Sequence, residues 1–177
     1  PYKKADALLY YLVLKRRAAR SELIGLLWLD SSSQSALKNL RHAIYSIRKE
    51  LGWDPFSGGQ RTVLELAPEV EVWCDVSEFL ATGEPSLYSG ELLQGFVVPK
   101  AEAFESWLMG ERASLQAWYL RVLLEAGQEC YSQGELERAE QLCLAYLETD
   151  PVEENAVMLL MRICCAQQPF RRAIALY

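Results

Sequence analysis

Histidine occurs once in these 177 residues, at His42, and no Cys-x-x-Cys is present. That excludes the common zinc-ligand spacings. The five cysteines (Cys74, Cys130, Cys143, Cys164 and Cys165) are odd in number and form no disulfide framework. They read as buried thiols of a protein in a reducing cytoplasm. No Gly-x-x-x-x-Gly-Lys phosphate loop occurs, and Gly58-Gly59 is explained better as a turn. The longest uninterrupted apolar run, Ala7 to Leu14, is too short to cross a bilayer. No basic stretch followed by an apolar one opens the chain, so nothing predicts secretion. Carboxylates are plentiful, but Glu102, Glu105 and Glu111 have the spacing of an exposed helix face. The expectation is a cytoplasmic protein with no catalytic residues, no cofactor, no metal and no membrane partner.

What is present is an uneven distribution of charge. The formal net charge is −6, which by itself argues against a nucleic-acid partner. Residues 1–62, however, hold eleven Lys/Arg against five Asp/Glu, a balance of +6, and the remainder carries −12. Such a split predicts a basic binding module joined to an acidic one. The length is comfortable for two domains with separate cores. The chain opens on Pro1 and closes on Tyr177 inside a helical pattern, and reads as part of a longer protein.

Apolar spacing gives the basic half three helices. Ala5, Leu8, Leu9, Leu12 and Val13 share one face of a helix over 3–14. Ser21 is the expected cap of a short second helix carrying Leu23, Ile24, Leu26 and Leu27 to about Trp28. After the Asp30-Ser31-Ser32-Ser33 loop, a third helix is predicted over Ser33–Leu51. Its apolar stripe is Ala36, Leu37, Leu40, Ile44, Ile47 and Leu51, and Gly52 is its C-terminal cap. Ser57-Gly58-Gly59 then reads as a turn. Thr62–Leu66 and Val70–Trp73 read as strands by alternation and β-branched content, forming a hairpin with Arg61 at its tip. Three helices and a hairpin are the parts of a winged helix-turn-helix.

Gly83, Pro85, Ser86, Gly90 and Gly95 mark a boundary, and from about Ala101 the pattern is helical throughout. A shift of 34 residues aligns Cys130 with Cys164, Gln133 with Gln167, Arg138 with Arg172, Ala139 with Ala173 and Leu142 with Leu176. That is the tetratricopeptide period. Asp150-Pro151 stands where such a repeat ends, Gly127 is its small first-helix position, and Ala139 is the small residue at its helix crossing. The expected fold is therefore mainly α: a winged helix-turn-helix with a short β-hairpin wing over 1–79, a connecting segment over 80–100, and a tetratricopeptide-like all-α domain over 101–177.

The third helix carries the functional pattern. Lys38, Arg41, Tyr45 and Arg48 recur every three or four residues, and His42 and Lys49 lie beside them on a face away from the apolar stripe. A helix that enters the major groove needs a core face, base-reading side chains and cations for phosphates. Arg can read guanine edges bidentately, while Lys and Tyr can hold phosphates. The predicted DNA-binding residues are Ser35, Lys38, Arg41, His42, Tyr45, Arg48, Lys49 and Arg61. The helix start near Ser33 to Ser35 is expected to face a phosphate. The competing explanation of this face is a solvated amphipathic helix, in a scaffold whose repeats bind proteins and whose winged helix binds no DNA.

Leu26-Leu27-Trp28 followed by Ala36-Leu37-Lys38-Asn39-Leu40-Arg41-His42-Ala43-Ile44-Tyr45-Ser46-Ile47-Arg48-Lys49-Glu50-Leu51-Gly52 resembles the DNA-binding domain of the SARP (antibiotic regulatory protein) activators, which are OmpR/PhoB-like winged helices. The second half resembles the bacterial transcriptional activator domain found beside it. Trp73-Cys74-Asp75-Val76-Ser77-Glu78-Phe79, Tyr88-Ser89-Gly90-Glu91-Leu92-Leu93, Trp107 with Arg112, and Ala139 carry that second resemblance, with Asp150-Pro151-Val152-Glu153-Glu154, Ala173 and Tyr177. The resemblance covers nearly the whole chain. It implies a transcriptional activator that binds repeated sites in double-stranded promoter DNA and recruits RNA polymerase. It further implies repeats that make protein contacts, including self-association on adjacent sites. Family members carry strands before the first helix, and longer ones continue into an ATPase module.

Overall fold

The computed structural model describes residues 2–58 and 61–167. The chain is mainly helical with one small two-stranded antiparallel sheet. The elements run α1 (Lys3–Lys15), β1 (Arg17–Ala19), α2 (Arg20–Leu27), α3 (Ser33–Leu51), β2 (Val63–Glu65), α4 (Asp75–Thr82), a short 3-10 helix (Pro85–Leu87), α5 (Glu102–Gln133), α6 (Leu136–Thr149) and α7 (Glu154–Ala166). By contact the chain divides into two compact units. The first is Pro1–Ala81 with Ser89–Arg112, and the second is Thr82–Tyr88 with Ala113–Tyr177. The segment 80–100, which the sequence assigns to a connection, contributes to both. Among the described residues no helix is long and apolar enough to cross a membrane.

In the first unit the apolar faces of α1, α2 and α3 close on one another. Leu8, Leu12, Leu23, Leu27 and Leu40 are essentially inaccessible to solvent, as are Ala7, Ala36 and Ala43. Each such leucine contributes about 1.5–3 kcal/mol relative to an exposed one. The start of α5 completes this core with Ala101, Phe104 and Leu108, and Leu92, Leu93, Phe96 and Trp107 pack around its edge. Tyr11, which lies outside the predicted apolar face of α1, is also buried. Its hydroxyl donates to the Glu22 carboxylate, and its ring lies 4.7 Å from that of Trp107.

Two boundaries differ from the sequence reading. Helix α1 stops at Arg16, whose φ is 63° and whose amide donates to Leu12 O at 2.8 Å. A non-glycine residue in that conformation costs roughly 1–2 kcal/mol. The guanidinium donates to Val70 O at 3.1 Å, which ties the turn down. The chain then forms β1 where no strand is predicted. Helix α2 starts at Arg20 with Ala19 as the preceding cap position; Ser21 is already inside it, and the Glu22 carboxylate accepts the Ala19 amide at 3.3 Å.

The larger correction concerns the predicted hairpin of 62–66 with 70–73. Strand β2 forms, but it pairs with β1, in the register Arg17↔Glu65, Ala18↔Leu64 and Ala19↔Val63. Its other edge is taken by the chain before it: Ser57 N–H donates to Glu65 O at 3.1 Å, Ala67 N–H to Pro55 O at 2.9 Å, and Phe56 bridges Leu66. Both edges are occupied, so Val70–Trp73 has no strand to join. Its residues alternate as a strand would, yet no ladder forms and Trp73 is 73% exposed. The turn at Ser57-Gly58-Gly59 includes Gly59, which lies outside the described residues.

The second unit holds the rest of α5, with α6 and α7. Gly134, at φ 80°, ends α5. Its amide donates to Tyr131 O at 3.1 Å and that of Glu135 to Cys130 O at 2.9 Å, the pairing of a Schellman cap. The core brings together Cys130, Ala139, Cys143, Leu159, Leu160, Ile163 and Cys164. Ala139 has no exposed surface, and a Cβ on Gly127 would lie 3.5 Å from Leu159 and 3.6 Å from the Cys143 sulfur. Burial raises the Cys143 thiol from 9.0 to about 11, with the Glu140 charge adding to the shift. Burial also raises the Cys130 thiol. Of the positions aligned by the 34-residue period, Cys164 and Gln167 are described. Arg172, Ala173 and Leu176 lie outside the described residues, as does Tyr177.

Candidate nucleic-acid interface

Helix α3 occupies Ser33–Leu51, the span its sequence predicts. Ser32 caps it: its Oγ accepts the Ser35 amide at 3.4 Å and donates to Ser35 Oγ at 3.0 Å. Gly52, with φ 77°, closes it by donating to Arg48 O at 3.0 Å. Ala36, Leu40, Ala43, Ile44 and Ile47 are buried. Ser35, Lys38, Arg41, His42, Tyr45, Arg48 and Lys49 are all exposed. At about 100° per residue these seven fall within an arc of about 140° whose centre is nearly opposite that of the buried stripe. Glu50, the only acid of the helix, lies outside that arc. One rigid element thus carries four cations, a phenol, an imidazole and a hydroxyl on one side.

These seven side chains are not equivalent. Lys38, Arg41 and Lys49 make no ion pair with any described residue, so their charge is available to an anion. Tyr45 is 61% exposed. His42 packs edge-on against Tyr2, ring centroids 5.4 Å apart at 81°, which fixes the plane of the imidazole. Arg48 donates from Nε to Asp54 Oδ1 at 2.8 Å, and the Phe56 amide donates to the same oxygen at 3.2 Å. The hydrogen bond from Arg48 is the largest influence on the Asp54 carboxyl and holds it below its ordinary value. Arg61, the eighth predicted residue, is not on α3; it is exposed in the turn that leads into β2.

The other cations of residues 1–62 are partly engaged elsewhere. Lys3 donates to Val97 O at 3.1 Å, and Lys4 to the carbonyls of Leu27 and Lys100 at 2.5 and 2.6 Å. Burial lowers the Lys4 ammonium from its ordinary value; Asp30 opposes this and Lys100 reinforces it. Lys15 pairs with Glu111. Helix α3 thus holds four of the eleven cations of residues 1–62 on one exposed side.

Two residues of this surface have no signal in the sequence pattern. Tyr2 precedes the first helix, and Asp54 follows the Gly52 cap, six residues after Arg48, so neither shares a helical face with its partner. Among the described residues there is no group of three or more His, Cys, Asp or Glu placed to hold a metal ion. No protein-family model matches the chain, and no curated protein matches its sequence.

Proposed function

We propose that this protein is a sequence-specific DNA-binding transcriptional activator of the SARP type, with α3 as the helix that enters the major groove. The observation that carries this reading is the exposed side of α3, on which Lys38, Arg41, Tyr45, Arg48 and Lys49 stand together with no acid of the helix among them, opposite the buried Ala36, Leu40, Ala43, Ile44 and Ile47. That is the division of labour a groove-bound helix requires: a core face, side chains for base edges, and cations for phosphates. Arg41, near the middle of the helix and free of ion pairs, is the side chain suited to a guanine edge. Lys38 and Lys49 act as phosphate contacts. Ser35 and the start of α3 approach the backbone, where exposed amides and the helix dipole favour an anion.

The antiparallel contact of Phe56–Ser57 with Glu65–Leu66 supports a short wing with Arg61 near it, and α1 to α3 supply the helix-turn-helix. The second unit, with the later part of α5 followed by α6 and α7, a small residue at Gly127 and a buried Ala139, fits a tetratricopeptide-like contact module. Its role is self-association on adjacent promoter sites or contact with RNA polymerase. Val152, Met158 and Leu144 leave it apolar surface to use, at 83%, 50% and 40% exposure.

Selection from a pool of randomised duplexes tests this function. An enriched motif whose guanine preference is lost in Arg41→Ala is the expected result. Failure to enrich any sequence, with binding of other proteins through the helical unit intact, would favour a scaffold that binds no DNA.

A further inference from the structure

The pairing of Arg48 with Asp54 has a geometry that an incidental surface ion pair lacks. Asp54 Oδ1 receives two donors, Arg48 Nε at 2.8 Å and the Phe56 amide at 3.2 Å. Phe56 is 5% exposed and belongs to the core of the first unit, and its ring lies 5.9 Å from the Arg48 guanidinium carbon. The carboxylate is thus anchored from below by a backbone amide of the core and grips the guanidinium by one edge. Only Nε is used. The two terminal amino groups, which form the other edges of the planar fork, remain for an acceptor. Half of each side chain stays exposed, 47% for Arg48 and 50% for Asp54, so the site is open to a partner.

We propose that Asp54 is a positioning residue for DNA binding: it orients Arg48 so that the free edge of the guanidinium meets a phosphate or a base edge. This deepens the proposed function and rests on it. A long arginine pays rotamer entropy when it is immobilised. An arginine already held through Nε, with its plane fixed by Asp54 and the Phe56 ring, has lost that freedom before DNA arrives. The ion pair offsets part of the Arg48 charge, so what the terminal amino groups keep for DNA is directed hydrogen-bond donation rather than a free cation.

The sign of the effect separates this role from simple electrostatics. Removing an acid beside a DNA-binding face strengthens binding if the acid merely repels phosphates. If Asp54 positions Arg48, removing it weakens binding despite the gain in positive charge. Asp54→Ala is expected to lower affinity for a mixed-sequence duplex by about three- to tenfold, the net scale of one ordinary hydrogen bond. Asp54→Asn, which keeps an acceptor oxygen, recovers part of the loss. In Arg48→Ala, the further change Asp54→Ala no longer weakens binding. The Arg48 Nε–H signal in nitrogen-15 NMR of the free protein, slowed in exchange by its hydrogen bond, disappears in Asp54→Ala. Equal or tighter binding by Asp54→Ala, while Lys38→Ala and Arg41→Ala still weaken it, would overturn the positioning role and leave the DNA-binding reading intact. No binding of duplex DNA by the unaltered protein would overturn both.

Discussion

The guanidinium of Arg112 reaches back twenty residues to donate to the carbonyl of Leu92 at 2.8 Å. A second nitrogen donates to Leu93 O, also at 2.8 Å, from a side chain that is only 24% exposed. Leu93 has φ 50°, a strained conformation for leucine, and the two hydrogen bonds hold it there. Arg112→Ala leaves two carbonyls without their charged donor, and a loss of about 1.5–3 kcal/mol in denaturant unfolding is expected. Arg112→Lys, which cannot reach both acceptors in one plane, falls between the two. Wild-type stability in Arg112→Ala would show that the 90s segment holds itself.

The second unit predicts opposite outcomes at two small residues. A Cβ at Gly127 meets Leu159, Cys143 and Leu142 at 3.5–3.7 Å, ordinary contact distances. Gly127→Ala therefore gains helix propensity and stabilises by up to about 1 kcal/mol. Ala139 has no exposed surface, so Ala139→Leu overpacks the core and costs about 1–3 kcal/mol. Thermal unfolding of both variants checks the pair, and a stable Ala139→Leu would remove Ala139 from the tight contact.

Thiol chemistry reports on the same core. Of the five thiols expected to be buried, Cys130, Cys143 and Cys164 are, whereas Cys165 is exposed and Cys74 half-buried because neither faces the core of a helix packing. At pH 8 an alkylating reagent should label Cys165 first and Cys74 more slowly in the folded protein, and reach Cys130, Cys143 and Cys164 only on unfolding. Cys143 also gives stability a pH dependence. The folded thiol ionises at about 11 against an ordinary 9.0, so above 9 the unfolded state holds fewer protons than the folded one. Stability accordingly falls as pH rises from 9 toward 11. Cys143→Ala should flatten that fall, and an unchanged slope would mean that other groups dominate it.

Much of the first unit is legible in its sequence because one periodicity decides it. In α3 the stripe Ala36, Leu40, Ile44 and Ile47 and the Gly52 cap fix both the span and the buried side, and the exposed cations follow by geometry; Leu37 and Leu51, which the pattern also assigns to the stripe, lie at its margins and are 42% and 39% exposed. Sheet partners are another matter. Val70–Trp73 looks like a strand because alternation reports local preference, whereas pairing depends on which edges are free, and β1 and Pro55–Ser57 had taken both. Strand β1 itself is three residues, too short for a pattern, and depends on Arg16 adopting a left-handed turn. The Asp54–Arg48 and Tyr2–His42 contacts join residues that no helical or strand spacing connects. Ser21 misleads for a simpler reason: a good capping residue also fits the first turn, and Glu22 caps from within.

If the exposed side of α3 binds nucleic-acid phosphates, the salt dependence of duplex binding reports it. Each phosphate contact contributes about 0.9 to the slope of log affinity against log salt. Lys38, Arg41 and Lys49, which make no ion pair with any described residue, stand on that side. Binding of a mixed-sequence duplex should therefore weaken steeply with salt, and each lysine-to-alanine change should lower the slope by about one unit. Arg41→Ala lowers it less if that side chain reads a base instead. A slope that is flat for the unaltered protein, or unchanged in both Lys38→Ala and Lys49→Ala, would contradict the assignment of α3 as the DNA-binding helix.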